Sequence, residues 1–467
     1  MKIVRFRNLF LGSIVILASF AYGFIAANYE VFPYQVIKFL YGRTKSSALK
    51  SASPNAAAKG RWKAARTEGQ NNGLTKEQQE ALSNLSTLGY LKGYKMAPKV
   101  QNVTIYEERA AYNGLNFVVS GHAPEAFLMD MKGNILHKWS YSGEDVWPGL
   151  LDIYQYEYQK TFWRRAHLLN NGGVLAIFEG IGIIKLDKDS NLLWSYKGRA
   201  NHHLCLDKNG NIYLLTRQLL RDDTKLQLLT WAKKDSVILE DMITILSPEG
   251  KEIKQVSLID CFLNSDYASL LEHMKLPLDP LHANTIVLIE DDKIASKFSM
   301  LKKGNVLISL RNIHTIAVVD LEQEKVTWAL TGMWKYQHQP VPLENGNLLI
   351  FDNLGHHGKS RVIEFNPLTQ KIAWSYKGQP ADKFYTHTCG SNQRLPNGNT
   401  LIIESDNGRA FEVTPAGKIV WEYVNPYRAG ENNELIATLF DVIRFEPNQF
   451  SGQDWLSLGT KTDGEAP

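Results

Sequence analysis

Asn397-Gly398-Asn399-Thr400-Leu401-Ile402 is a turn dipeptide followed at once by an apolar run. Glycine beside asparagine supplies the positive φ that tight hairpin turns need, and the residues after it suit a half-buried strand. The same cadence returns at Asn209-Gly210-Asn211-Ile212-Tyr213-Leu214, Lys303-Gly304-Asn305-Val306-Leu307-Ile308 and Asn345-Gly346-Asn347-Leu348-Leu349-Ile350. A second turn and a strand bearing tryptophan recur as well. They run from Asp130-Met131-Lys132-Gly133 to Trp139, from Asp187-Lys188-Asp189 to Trp194, from Asp320-Leu321-Glu322 to Trp328, from Asn366-Pro367-Leu368-Thr369 to Trp374, and from Thr414-Pro415-Ala416-Gly417 to Trp421. Ser247-Pro248-Glu249-Gly250 opens a similar unit without the tryptophan. Repeats of this size, rich in strand and turn, predict propeller blades. Six units fit between about residues 103 and 428, so the predicted fold class is all-β, a six-bladed β-propeller. The recurrent tryptophan is read as packing blade against blade.

Outward from the repeats, the chain divides into four predicted stretches. Lys2, Arg5 and Arg7 precede an apolar run from about Leu9 to Ala27, long enough to span a bilayer as a helix. Residues 1–27 are therefore read as a membrane anchor, with a cleaved signal peptide as the alternative. The basic flank predicts a single pass with the remainder outside the cytoplasm. Residues 28–100 read as a stalk, with a capping box at Thr75-Lys76-Glu77-Gln78 opening a short helix through Leu85. Residues 101–432 hold the propeller, and residues 433–467 form a C-terminal extension. A helix at Glu434 to Ile443 is expected there, in a segment that either wraps the outside or closes the ring.

Hydrophobic content of 44% and charged content of 21% are those of an ordinary globular chain, and the net charge of +4 is mild. No Lys/Arg-rich run is interleaved with aromatics, so nucleic acid is excluded as the expected partner. Cys205, Cys261 and Cys389 fit an exported protein with at most one disulfide, or three free thiols.

Polar residues recur at comparable points of the repeats. They are His202 and His203 in Asn201-His202-His203, His282 in Asp279-Pro280-Leu281-His282-Ala283-Asn284-Thr285-Ile286, Arg311 in Ser309-Leu310-Arg311-Asn312, and His338 in Gln337-His338-Gln339-Pro340. The innermost strand of each blade lines a propeller's central channel, so these side chains are expected to converge. Arg311 brings a permanent charge and a planar donor fork, and the histidines bring donors, bases or nucleophiles. Together they predict an anionic ligand. Any one histidine reads more simply as a structural residue; one per repeat points to a site. Strand alternation predicts that only one of His202 and His203 faces the channel, with His202 preferred. His387 is a further channel candidate, and Trp334 and Tyr336 are candidates for stacking on an aromatic ring. His137, His167 and His314 are assigned away from the site, and His356-His357 to a loop at the rim. No carboxylates group with the histidines, which argues against glycoside hydrolysis and against a metal site.

At these residues the chain resembles the PAPS-independent arylsulfate sulfotransferases, exported bacterial six-bladed propellers. The resemblance rests on His282-Ala283-Asn284-Thr285-Ile286, Ile308-Ser309-Leu310-Arg311, Gln337-His338, Asn201-His202-His203 and Gln393-Arg394-Leu395-Pro396-Asn397-Gly398-Asn399-Thr400-Leu401, and covers about residues 103 to 440. It implies that His338 attacks the sulfur of an aryl sulfate, that His202, His282 and Arg311 bind sulfate oxygens, and that one of these histidines exchanges a proton with the phenolic oxygen. It implies no cofactor, and an aryl sulfate and a phenol as the small-molecule partners. Taken with the anchor read at residues 1–27, which departs from the soluble members of the family, it leads to the expectation of a catalytic domain in the periplasm, tethered to the bacterial inner membrane. A non-catalytic propeller binding an anionic ligand or a protein partner at the channel mouth is the alternative. A quinone-dependent dehydrogenase propeller would need channel carboxylates for a calcium ion.

Overall fold

A computed structural model describes residues 60–64, 101–149, 159–220, 229, 238–274, 279–297, 300–378, 384–430, 433 and 435–450. The expected anchor at 1–27 and the helix at 75–85 lie outside them. Among the described residues no helix is long and apolar enough to cross a membrane.

The chain is mostly β. Among the described residues, six antiparallel sheets of four or five strands follow one another, with a seventh of three short strands. The leading strands of the second to sixth sheets are Arg165–Leu168, Ala200–Leu206, Ala283–Leu288, His338–Pro342 and Ser391–Arg394. Three further strands follow each in simple succession, and Asn102–Tyr106 adds a fifth to the sixth sheet. Each sheet contacts the next, and the sixth contacts the first, so the sheets form a closed cycle.

The first sheet is completed from the far end of the chain. Leu439–Phe445 pairs antiparallel with Leu115–Ser120, ahead of Glu125–Met129 and Ile135–Ser140. The helix expected across 434–443 is thus overturned: Leu435–Ala437 and Leu439–Phe445 are strands, and the propeller runs past the expected boundary at 432. A short apolar run has no period that separates strand from helix, and here pairing partners decide. Arg444 locks this closure. Its Nη1 bonds Glu412 Oε2 at 2.9 Å, its Nε donates to Asn116 Oδ1 at 2.5 Å, and its guanidinium lies 4.7 Å from the Trp421 ring.

The recurrent tryptophans join neighbouring sheets. Indole nitrogens of Trp139, Trp194, Trp374 and Trp421 donate to turn carbonyls of Gly172, Pro248, Pro415 and Met131, each in the following sheet. Such a residue buries a large ring and satisfies its one donor at the same joint. The Asn-Gly signals lie in longer turns than a two-residue hairpin. At Asp207 the carboxylate accepts the amides of Asn209 and Asn211, and Gly210 takes φ +83°. None of Cys205, Cys261 and Cys389 forms a disulfide.

Candidate active site

The leading strands place their first residues at one end of the sheet cycle. A small cavity there is lined by Arg164, His202, His338, Asn284, Cys389 and Phe440, among others, so all six sheets contribute to it. Its volume of about 10 Å³ is room for one water. The larger cavity, about 840 Å³, lies toward the other end of the same strands, from Gln339 to Leu343 and from Ser391 to Pro396. Two of its arginines are paired within the protein, Arg394 with Glu364 at 2.7 Å and Arg165 with Asp441. Chemistry is therefore sought among the histidines.

Backbone irregularities aim those histidines. Three leading strands break register near their start, between Ala200 and Leu204, between Ala283 and Thr285, and between His338 and Val341. At or beside these breaks His202, His282 and Gln339 hold positive φ, at 43°, 54° and 47°, a costly state for residues with a Cβ. Bulges re-aim side chains beside functional sites. This corrects the alternation argument for Asn201-His202-His203: with the strand bulged, both His202 and His203 line the cavity.

His338 is held through one ring nitrogen. Its Nδ1 lies 2.8 Å from Asn353 Oδ1 and 3.0 Å from the Tyr336 carbonyl. The Asn353 amide nitrogen donates to the carbonyls of Thr386 and Cys389, at 3.0 and 2.8 Å, which orients its oxygen toward His338. Two acceptors face Nδ1, so it carries the proton and Nε2 keeps its lone pair. Burial, then the charge of Arg311, pushes the ring's proton affinity well below that of an ordinary histidine, so it stays neutral. Gln337 fixes the strand start: its amide nitrogen donates to Ser309 Oγ and to the carbonyls of Leu310 and Thr315.

His282 sits opposite Arg311, whose amide donates to the His282 carbonyl at 3.1 Å. Arg311 follows the second strand of its sheet, not an innermost one as the sequence reading had it. The hairpin nonetheless brings it to the same end, where its guanidinium lies 4.4 Å from the Tyr336 ring. The Nδ1 of His282 bonds the Asp279 carboxylate, which also accepts from Arg217 at 2.8 Å. Burial disfavours that carboxylate, but the His282 bond and the Arg217 charge hold it ionised below the usual range. Arg217 reaches on to Asp241 at 3.0 Å, whose other oxygen accepts the Ala283 amide. The rings of His202 and His282 meet edge-on at 4.7 Å, and Glu179 Oε1 lies 3.6 Å from His202 Nε2.

The remaining expectations divide. Tyr336 stands between Arg311 and His387, 6.2 Å from the latter ring. Trp334 is not at the cavity: it packs on Phe365 in the core between sheets, and its indole donates to the His314 carbonyl. His314 lies in the turn after Arg311, and its Nδ1 meets the Arg311 carbonyl and the Tyr336 amide. His137 is a structural contact to the Lys188 carbonyl, and His356 and His357 share a hairpin tip. Sequence reasoning assigned no role to Asn353, Arg164, Glu179, Arg217, Asp241 or Asp279. Two of these had a signal: Asp279 stands three residues before His282, and Asn353 interrupts an apolar strand.

A family model described as arylsulfotransferase (ASST) matches residues 165–426, more than half of the 467-residue chain. The chain belongs to the arylsulfotransferase family. The resemblance carried by Gln337-His338 and Ile308-Ser309-Leu310-Arg311 therefore identified the family. A search of curated proteins finds no match. Among solved structures, a protein of unknown function from Bacteroides caccae is 12% identical, with a TM-score of 0.46, covering 71% of this chain and 98% of its own. A streptogramin B lyase is 12% identical at 0.40, covering 74% and 93%. Virginiamycin B lyase from Staphylococcus aureus is 11% identical at 0.34, covering 56% and 69%.

Arylsulfotransferase membership supports a sulfotransferase enzyme. Its histidines also set a pH dependence. His202, His203 and His338 are pushed well below the ordinary value chiefly by burial, and His167 to about 4. Below about pH 6.5 the unfolded chain takes up protons that the folded chain refuses. Their contribution to stability is thus intact above that pH and is lost as pH falls, by up to about 1.4 kcal/mol per pH unit per histidine. Urea unfolding at about pH 7 and about pH 5 measures it, and equal stabilities would contradict the neutral, buried rings.

Proposed function

We propose that this chain is a six-bladed propeller that moves a sulfuryl group from a phenolic sulfate ester to a phenol through a sulfohistidine at His338, without a nucleotide donor. The observation that carries the reading is the pair of acceptors at His338 Nδ1, Asn353 Oδ1 and the Tyr336 carbonyl, which places the proton there and leaves the Nε2 lone pair for attack. In the first half-reaction Nε2 attacks sulfur, the S–O bond to the aryl group breaks, and the phenolic oxygen takes a proton from His282 Nε2. In the second, an acceptor phenol gives its own hydroxyl proton to His282 Nε2 as its oxygen attacks sulfur and the N–S bond breaks, which regenerates both histidines. Arg311, His202 and Asn284 stabilise the sulfuryl oxygens, where charge spreads in a loose transition state. Asp279 orients His282 and balances its charge when protonated.

The N-terminal apolar run supports a membrane tether, with catalysis outside the cytoplasm. Rapid quenching with a chromogenic aryl sulfate, without acceptor, should give one equivalent of phenol and a sulfated peptide containing His338. Steady release without acceptor would instead indicate a hydrolase. Asn353→Leu removes one of the two acceptors at Nδ1 and leaves the Tyr336 carbonyl, so the ring is held less firmly and kcat is expected to drop about 10-fold. Stopped-flow measurement of the first half-reaction checks this.

A further inference from the structure

Arg61 and Lys63 precede the repeats by some forty positions, in a stretch that reads as stalk. The structure brings them to the histidine end. Trp62–Ala64 pairs antiparallel with Leu435–Ala437, just before the strand that closes the first sheet. The Arg61 carbonyl accepts from Thr438, and the Arg61 amide donates to Gly121. This approach requires glycine: a Cβ at Gly60 would lie 2.6 Å from the Gly121 oxygen, and one at Gly121 would lie 2.9 Å from the Arg61 oxygen.

Arg61 then faces groups already placed in the site, and Lys63 a carboxylate that holds the loop leading to Cys389. The Arg61 guanidinium is 5.4 Å from the ring of Phe440, which lines the cavity, and Arg164 is 4.9 Å from the same ring. Arg61 also lies 4.0 Å from Glu179, the carboxylate that meets Arg164 and His202. Lys63 lies 3.5 Å from Asp406. Asp406 accepts the amides of His387 and Thr388 and so holds the loop leading to Cys389. Four carboxylates, Glu179, Asp406, Asp279 and Asp241, stand against Arg61, Lys63, Arg164, Arg217 and Arg311, which leaves this end positive by one charge. Like-signed charges around a cleft concentrate the oppositely charged ligand.

We infer that Arg61 and Lys63 are specificity-determining residues that recruit the anionic sulfate ester, carried by an N-terminal strand that forms part of the site's wall. The inference rests on the sulfotransferase reading. It separates the two half-reactions, because the donor is an anion and an uncharged phenol acceptor is not. In the full chain, the double variant Arg61→Gln, Lys63→Gln should lower kcat/KM for the donor about 10-fold at low ionic strength. It should weaken the fall of that constant with added salt and leave kcat/KM for the phenol unchanged. Arg61→Lys with Lys63→Arg keeps the charge and should restore the donor value. Equal losses for donor and acceptor, or no loss, would overturn the inference. Sulfate ion, titrated by thermal shift, tests it apart from turnover. Weaker sulfate binding by the double variant supports the rim even if no donor reacts, which would sink only the transfer reading. Equal binding overturns the rim.

Discussion

His338→Ala is expected to lower kcat/KM for an aryl sulfate by about 10⁴-fold or more, the scale seen when a covalent nucleophile is removed. The variant should still fold. Its ring occupies a pocket end, and its main losses are the contacts to Asn353 and the Tyr336 carbonyl. Sulfation of the protein on mixing with donor should disappear with the activity. A variant that keeps even a tenth of the wild-type rate would assign the nucleophile elsewhere, with His202 and His282 the nearest choices. His282→Ala should behave differently. It removes the proton donor, so the loss should be largest for sulfates of poorly acidic phenols and smallest for those whose phenolate leaves unaided.

Arg444→Met should be the most destabilising single change. Arg444 and Glu412 are both fully buried, and their pair joins the closing strand to the sixth sheet. Removing one partner strands the other's charge in the interior, a loss of about 3–5 kcal/mol. Denaturant midpoints at constant m-value would measure it. Adding Glu412→Gln should recover part of the loss, since an amide costs less to bury than an unpaired carboxylate. If the single variant matched wild type within about 0.5 kcal/mol, the closure would not depend on this pair.

Several features are legible before any coordinates. The Asn-Gly turns and recurrent tryptophans announce a repeated antiparallel sheet, because both act locally: one sets a turn, the other is large enough to demand a neighbouring unit. The histidines at the starts of matching strands announce side chains that converge, for the same reason of register; Arg311, after a second strand, does not share that register. Trp334 shows where such reading stops. An aromatic beside Tyr336 looks equally suited to a ligand, but it turns to the core while Tyr336 meets Arg311. The closing strand misled because its short apolar run carries no decisive period.

The sequence alone determined the repeated sheet, the family, and the presence of His202, His282, Arg311 and His338 near one another, since each follows from patterns spanning a few residues. Tertiary structure alone decided which nitrogen of His338 faces acceptors, that a bulge lets His202 and His203 share a cavity, and that residues 62–64 pair with 435–437, which sets Arg61 against Phe440 and Glu179. Those outcomes depend on partners roughly 15 to 370 positions away, from Asn353 beside His338 to the 435–437 strand that seats residues 62–64, and contacts at such separations leave no local signature.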